Sequence, residues 1–251
     1  KRDAMRLAGL RDIEAFTLYQ KGRDLFERAH GEIDQIDGLR QANVYFEQVM
    51  ELAPGYWQVY SDHSDLYTHL LNDSVAGTPA EGVTEAVLAD AYATAIADLE
   101  AAARYAPTKR IRYIAELDLA FLSGNWRGLS GRLERALAEP GCLEGNWTPT
   151  VVNVIGAASD YLELAKTILA CDPLRSLSWF NLSRAQLWAG DSEEAVRVAR
   201  EGMDIAPGAW LTMTMVQALV SSGLYDDALR VIENDVSDVY MAHALQLLVA
   251  G

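Results

Sequence analysis

Alternating runs of Val, Ile and Thr are nearly absent from this sequence, which argues against a large β-sheet. Proline is scarce as well. Only seven occur in 251 residues, and the long stretches between them are rich in Ala, Leu, Glu and Arg, which lose little freedom in a helix. No apolar run approaches the ~20 residues that a bilayer span needs. The richest, Tyr113 to Leu122, is interrupted by Glu116 and Asp118, so no membrane contact is expected within this segment. Positive charge is in deficit: 21 Lys and Arg stand against 36 Asp and Glu, a net charge of −15. Such a surface repels phosphate backbones, and no nucleic acid is expected as a partner. The motifs of common chemistry are missing too. There is no GxSxG, no HExxH and no glycine-rich phosphate loop after a strand, so no catalytic residue, no cofactor and no cofactor-binding residue is assigned. Carboxylate pairs such as Glu193-Glu194 and Asp226-Asp227 stand at expected helix starts, where the helix dipole accounts for them.

What is present is a repeat. Five of the seven prolines are Pro54, Pro107, Pro140, Pro173 and Pro207, at intervals of 53, 33, 33 and 34 residues. Glycine keeps the same ruler: Gly124 to Gly190 is 66, twice 33, and Gly190 to Gly223 is 33. A period of 33–34 residues fits two helices of about 13 residues plus two tight turns. The longer first interval exceeds one period by 20 residues. It is assigned to a longer turn and a long helix starting at the Thr78-Pro79-Ala80-Glu81 cap and running to Tyr105.

From Ser176 the chain reads SLSWFNLSRAQLWAGDSEEAVRVAREGMDIAP. Trp179, Leu182 and Ser183 on a first helix, Gly190 at the turn, then Ala195, Ala199, Gly202 and Pro207 resemble the tetratricopeptide repeat (TPR). Ser183 and Ala195 are small where the paired helices approach, and Asp191 with Glu194 forms a capping-box pattern. The third unit has Leu117 and Leu129 at places expected to be small. The fourth, about Cys142 to Pro173, is degenerate, with a second helix that reads as short. The resemblance runs from about Ile13 to the end. It implies an all-α fold: an α-solenoid of about six antiparallel helix pairs in a TPR-like right-handed superhelix, plus a terminal helix, forming a single domain over residues 1–251. A narrower resemblance lies in AFTLYQKGRDLFERA and in YFEQVMELAPGY. These strings are similar to the carboxy-terminal TPR region of bacterial regulators that carry a winged-helix or adenylyl-cyclase module. The chain opens with Lys1 rather than Met and reads as a piece of a longer protein.

The TPR resemblance implies a non-enzymatic, protein- or peptide-binding scaffold whose partner lies along the first helix of each pair. The matching groove positions are Tyr19, Arg23, Asp65, His69, Asp118, Phe121, Arg184, Trp188, Trp210, Met213 and Gln217. Where co-chaperones of this kind hold a terminal carboxylate, this chain has Ser61, Asp65, Ile114, Asp118, Phe180 and Arg184, so that clamp is lacking. A second reading is a homodimer through Ser237 to Ala250, with Tyr240, Leu245 and Leu248 available. A third is a small-molecule sensor with a pocket near Trp188 and Trp210. His63, Asp65 and His69 share one expected helix. Asp65 and His69 have the i, i+4 spacing of a ligand pair, but His63 lies off that face and no Cys/His cluster supports them, so solvated groove histidines and no metal are expected. Cys142 precedes the first helix of the fourth pair and Cys171 ends its second, at the same end of an antiparallel hairpin. Either a disulfide or two unpaired thiols, one of them buried, fits that placement. The compartment is left open between the cytoplasm and the periplasmic part of a membrane-anchored regulator, the latter favoured by a bridge.

Overall fold

The computed structural model describes residues 12–30, 35–77, 79–142 and 147–235, together with Gln246 and Val249. The described residues form helices and no strands. In chain order these are α1 (Ile13–Ala29), α2 (Ile36–Leu52), α3 (Trp57–Val75), α4 (Glu85–Tyr105), α5 (Lys109–Leu122), α6 (Leu129–Ala138), α7 (Thr148–Val154), α8 (Ala158–Cys171), α9 (Ser176–Trp188), α10 (Ser192–Ile205), α11 (Ala209–Ser221) and α12 (Tyr225–Asp235). None is long and apolar enough to cross a membrane.

The starts and stops have local causes. Asp12 accepts the backbone N–H groups of Glu14 and Ala15 at the start of α1. Thr84, Thr108 and Asp191 accept one N–H each at the starts of α4, α5 and α10. Such caps satisfy donors that the first helical turn leaves without partners. The glycine ruler has an equally plain origin. Gly124, Gly190 and Gly223 all take left-handed backbone, φ +74°, +88° and +72°, in the turn inside a pair. A Cβ is strained in that conformation, so the turn selects glycine once per repeat.

The chain divides into two compact units, Lys1–Val151 and Val152–Gly251. Within each unit, neighbouring helices pack as hairpins of TPR-like type. In the first, α1 to α5 pack each on the next, and α6 packs on α5. Its core includes Phe26, Leu39, Phe46, Val49, Val59 and Leu66. Gly22 on α1 lies against the Phe46 ring of α2, where a Cβ would stand 2.5 Å from the ring. Leu117 and Leu129, large where the repeat pattern has small residues, are both buried.

In the second unit α9 packs on α8, α10 and α11, and α11 also packs on α10 and α12. Contact between α9 and α11, the first helices of successive pairs, is how stacked hairpins share one core. Its core includes Val196, Val216, Leu219, Val231 and Ile232. Ser183 Oγ donates to the Ala195 carbonyl at 2.9 Å, so the two small positions do mark the close approach of α9 and α10. The Trp179 indole N–H caps the preceding linker by donating to the Pro173 carbonyl at 2.8 Å.

Three expectations are corrected. The long helix of the second pair begins at Glu85, not in the Thr78–Glu81 cap: a turn at Glu81 and Gly82, φ +78° at Gly82, intervenes, and Thr84 is the cap. In the fourth pair the first helix is the short one, α7 of 7 residues, while α8 has 14. At the start of α10, Asp191 caps as expected, but Glu194 pairs with Arg197, and the Asp191 N–H goes to the Gln186 carbonyl. Tyr240, Leu245 and Leu248 lie outside the described residues. Val249 packs partly buried against the core of the second unit.

Candidate functional site

α3 carries the first candidate site because its sequence, WQVYSDHSDLYTHLLNDSV, is polar along most of its length and yet buried. Gln58, Ser61, Asp62, His63, Ser64, Asp65 and Thr68 are all inside. Burial of such groups is tolerated only where partners meet them, and the neighbouring helices supply them.

From α1, the Tyr19 hydroxyl donates to Asp62 Oδ2 at 2.8 Å and Arg23 Nη1 donates to Oδ1 at 3.0 Å. Gln58 Nε2 donates to the same Oδ1 at 3.2 Å. Arg23 also pairs with Glu27 one turn on. Burial, with the Asp62 charge beside it, pushes the Tyr19 phenol well above its ordinary value. The guanidinium of Arg23 is held charged by Asp62 against its own burial. From α2, Asn43 Nδ2 donates to the His63 carbonyl at 3.0 Å. From α4, Asp98 Oδ2 meets His63 Nδ1 at 2.7 Å. Burial raises the Asp98 carboxyl, and His63 lowers it in part.

One turn further along α3, Asp65 Oδ2 lies 2.9 Å from His30 Nε2 and 3.4 Å from His69 Nε2. His30 is contributed by the residue that ends α1. Burial would raise the Asp65 carboxyl, but His69 and His30 hold it well below the usual carboxylate range. His69 Nδ1 meets the Gln35 side chain at 2.8 Å, and its ring packs beside Trp147, centroids 5.4 Å apart. His63, His69 and His30 are therefore enclosed rather than solvated, with side-chain exposures of 7%, 15% and 12%. That corrects the expectation of groove histidines in water.

Asp118 on α5 is buried as well. It accepts the Thr148 hydroxyl at 3.0 Å and the Trp147 backbone N–H, at the start of α7. Burial raises its carboxyl to about 7, although both hydrogen bonds oppose the shift. Phe121, half-buried, stacks on the exposed Trp126, centroids 6.0 Å apart.

In the second unit the groove positions make a different surface. The Arg184 guanidinium sits over Phe180 at 4.3 Å, Trp188 at 4.8 Å and Tyr161 at 5.7 Å. Its Nε donates to the Tyr161 hydroxyl at 3.0 Å and Nη2 to Asn181 Oδ1 at 3.1 Å. Trp210 packs on Phe180, centroids 6.2 Å apart. Trp188 is 36% exposed, and Arg184, Trp210, Met213 and Gln217 are half-buried.

The groove positions thus separate by role. Tyr19, Asp65 and Asp118 are buried and spend their polar atoms inside the first unit, while Arg184, Trp188 and Trp210 keep surface that a ligand can reach. Asp62, His30 and Gln35 were not among the sequence candidates. Both cysteines are exposed, and no free cysteine occurs among the described residues.

No family model matches the chain, and no curated protein matches it. Among solved structures it is similar to a chain in the crystal structure of the APC/C hetero-tetramer Cut9-Hcn1. The likeness covers 95% of this chain and 46% of that one, with a TM-score of 0.50 and 14% identity. The chain therefore spans less than half the length of that neighbour, and at this identity the likeness is one of fold: an all-α, TPR-like helical repeat.

Proposed function

We propose that the chain is a protein-binding scaffold that engages an extended peptide or a partner helix on the first helices of its second unit. The observation that carries this reading is the Arg184 cluster. A guanidinium held in place by Tyr161 and Asn181 lies among Phe180, Trp188 and Tyr161, with Trp188 partly open to solvent. Arg and aromatic side chains that are fixed before binding lose little entropy on contact and dominate recognition surfaces. A charge among aromatic faces suits a peptide with an acidic residue flanked by apolar ones. No catalytic role is proposed, since this arrangement has no nucleophile with a base beside it.

The finer reading is the interaction region of a bacterial signalling or transcriptional regulator. It is supported by LYQKGR and YFEQVMELAPGY, whose residues serve packing here: Gly22 against Phe46, and Tyr19 and Arg23 on Asp62. A winged-helix or cyclase module encoded in the same reading frame is the outcome expected of sequencing the full gene. A frame with neither counts against the finer reading alone.

The binding reading is tested by selecting displayed peptides on the wild-type chain. Selected peptides should bind the wild type and a control changed on the outer helix, Arg197→Glu, but lose binding to Arg184→Glu/Trp188→Ala. Peptides that bind all three proteins equally would remove the groove assignment.

A further inference from the structure

We propose that His30, Asp65 and His69 form a binding site for a first-row divalent metal ion, Zn2+ being the best fit to two imidazoles and one carboxylate. The three side chains come from the end of α1 and from successive turns of α3, and one ligand atom of each lies within 4.8 Å of the others. In a tetrahedral zinc site the bond lengths of about 2.0–2.2 Å put ligand atoms roughly 3.3–3.5 Å apart. The two contacts of Asp65 Oδ2, 2.9 and 3.4 Å, stand close to that spacing.

The second observation is the hydrogen bonding. Asp65 Oδ2 is buried, and both imidazoles approach this one oxygen through Nε2. For His30, Nδ1 lies 2.8 Å from the Phe26 carbonyl, which only accepts, so Nδ1 carries a proton and Nε2 is the ring nitrogen left for a ligand. A divalent cation bound by all three takes the place of a proton between Nε2 and the carboxylate.

The outer shell has the same logic. Ligating histidines donate the other ring N–H to a carbonyl or carboxylate, which fixes the ring and raises its basicity. Phe26 does this for His30. Gln35 stands 2.8 Å from His69 Nδ1, and its Oε1 is a buried atom without a partner. With the carbonyl end of that amide turned to His69, Oε1 accepts the Nδ1 proton and Nε2 is left for the metal. Trp147 packs beside the His69 ring, centroids 5.4 Å apart. Three protein ligands leave a fourth position for water or for a group from a bound partner.

The test uses the full chain stripped with a chelator and titrated with ZnCl2. One Zn2+ per chain at submicromolar affinity is expected. His30→Gln and His69→Gln should weaken it by at least about a hundredfold, and Gln35→Ala, an orienting change, by about 10- to 100-fold. No uptake by the wild type, or uptake that both histidine variants retain, overturns the site. Should either variant fail to fold by circular dichroism, the wild type alone decides through Co2+. Intense visible bands of a four-coordinate ion with imidazole ligands support the site, whereas the weak spectrum of hexaaqua Co2+ overturns it.

Discussion

Gly202 lies directly under Trp179: a Cβ on this glycine would stand 2.6 Å from the Trp179 Cβ and 2.9 Å from a Leu211 methyl. Both neighbours are buried, so neither has free space to move into. The same relation recurs in the first unit between Gly22 and Phe46. Gly202→Ala and Gly22→Ala should therefore destabilise by about 1–3 kcal/mol, the usual cost of overpacking a filled core. Gly131, in α6 with nothing within 4 Å of its missing Cβ, is the counter-case. Gly131→Ala should stabilise by about 0.5–1 kcal/mol through helix propensity alone. Urea unfolding followed by far-UV circular dichroism reads all three, and equal losses at Gly131 and Gly202 would refute the close-approach account.

The buried Asp118 carboxyl should make stability depend on pH near neutrality. Its folded value of about 7 lies above the ordinary 3.8, because burial penalises the charge. The folded chain therefore holds this proton between about pH 4 and 7 while the unfolded chain has released it. Stability from this group is fully present below pH 4, falls as pH rises to 7, and is flat above. The full span is on the order of 4 kcal/mol. Asp118→Asn keeps an acceptor for Thr148 and cannot titrate. The difference in unfolding free energy between wild type and variant should slope across pH 4–7, and a pH-independent difference would show that Asp118 is charged in the folded state.

The reach of the sequence can be traced to single residues. Gly124, Gly190 and Gly223 betrayed the period because left-handed turns accept little else. Trp179, Ser183 and Gly202 betrayed the hairpin because close helices need small residues opposite large ones. The start of α4 was misplaced because Thr78-Pro79-Ala80-Glu81 satisfies the pattern of a cap, while the Gly82 turn breaks the chain just after it. The polar seam was illegible for a different reason. Patterning sends Ser61, Asp62, His63 and Asp65 to solvent, and only partners far along the chain reverse that: Tyr19 is 43 residues from Asp62, and Asp98 is 35 from His63. His30 could not be joined to Asp65 and His69 by spacing within one helix, because it belongs to another.

The two cysteines yield a direct chemical prediction. Neither is free, and a Cys142–Cys171 bridge is proposed as their state. Denatured, unreduced protein should react with no thiol reagent, and reduction should expose two thiols per chain. Two reactive thiols before reduction would end the proposal. A bridge closing a loop of this length contributes about 3–4 kcal/mol in the chain-entropy account. Reduction should therefore lower the unfolding midpoint measured in parallel.

Asp62 offers the most severe test of the seam. It is fully buried and receives Tyr19, Arg23 and Gln58 together. Replacing it with Ala strands a buried phenol and leaves Arg23 with Glu27 as its remaining ion-pair partner in this cluster. Removing one member of such a buried pair costs about 3–5 kcal/mol; because the Arg23 side chain is 24% exposed, the lower end is expected. Asp62→Asn keeps the volume and one of the two acceptor oxygens but cannot answer the guanidinium charge, so it should lose about half as much. In a double-mutant cycle, Asp62→Ala combined with Arg23→Met should cost less than the sum of the two single changes, because the stranded charge is gone. Strictly additive losses would mean that Asp62 serves Tyr19 and Gln58 alone. In that case Arg23, with its Glu27 contact, would be available to a ligand as its groove position suggests.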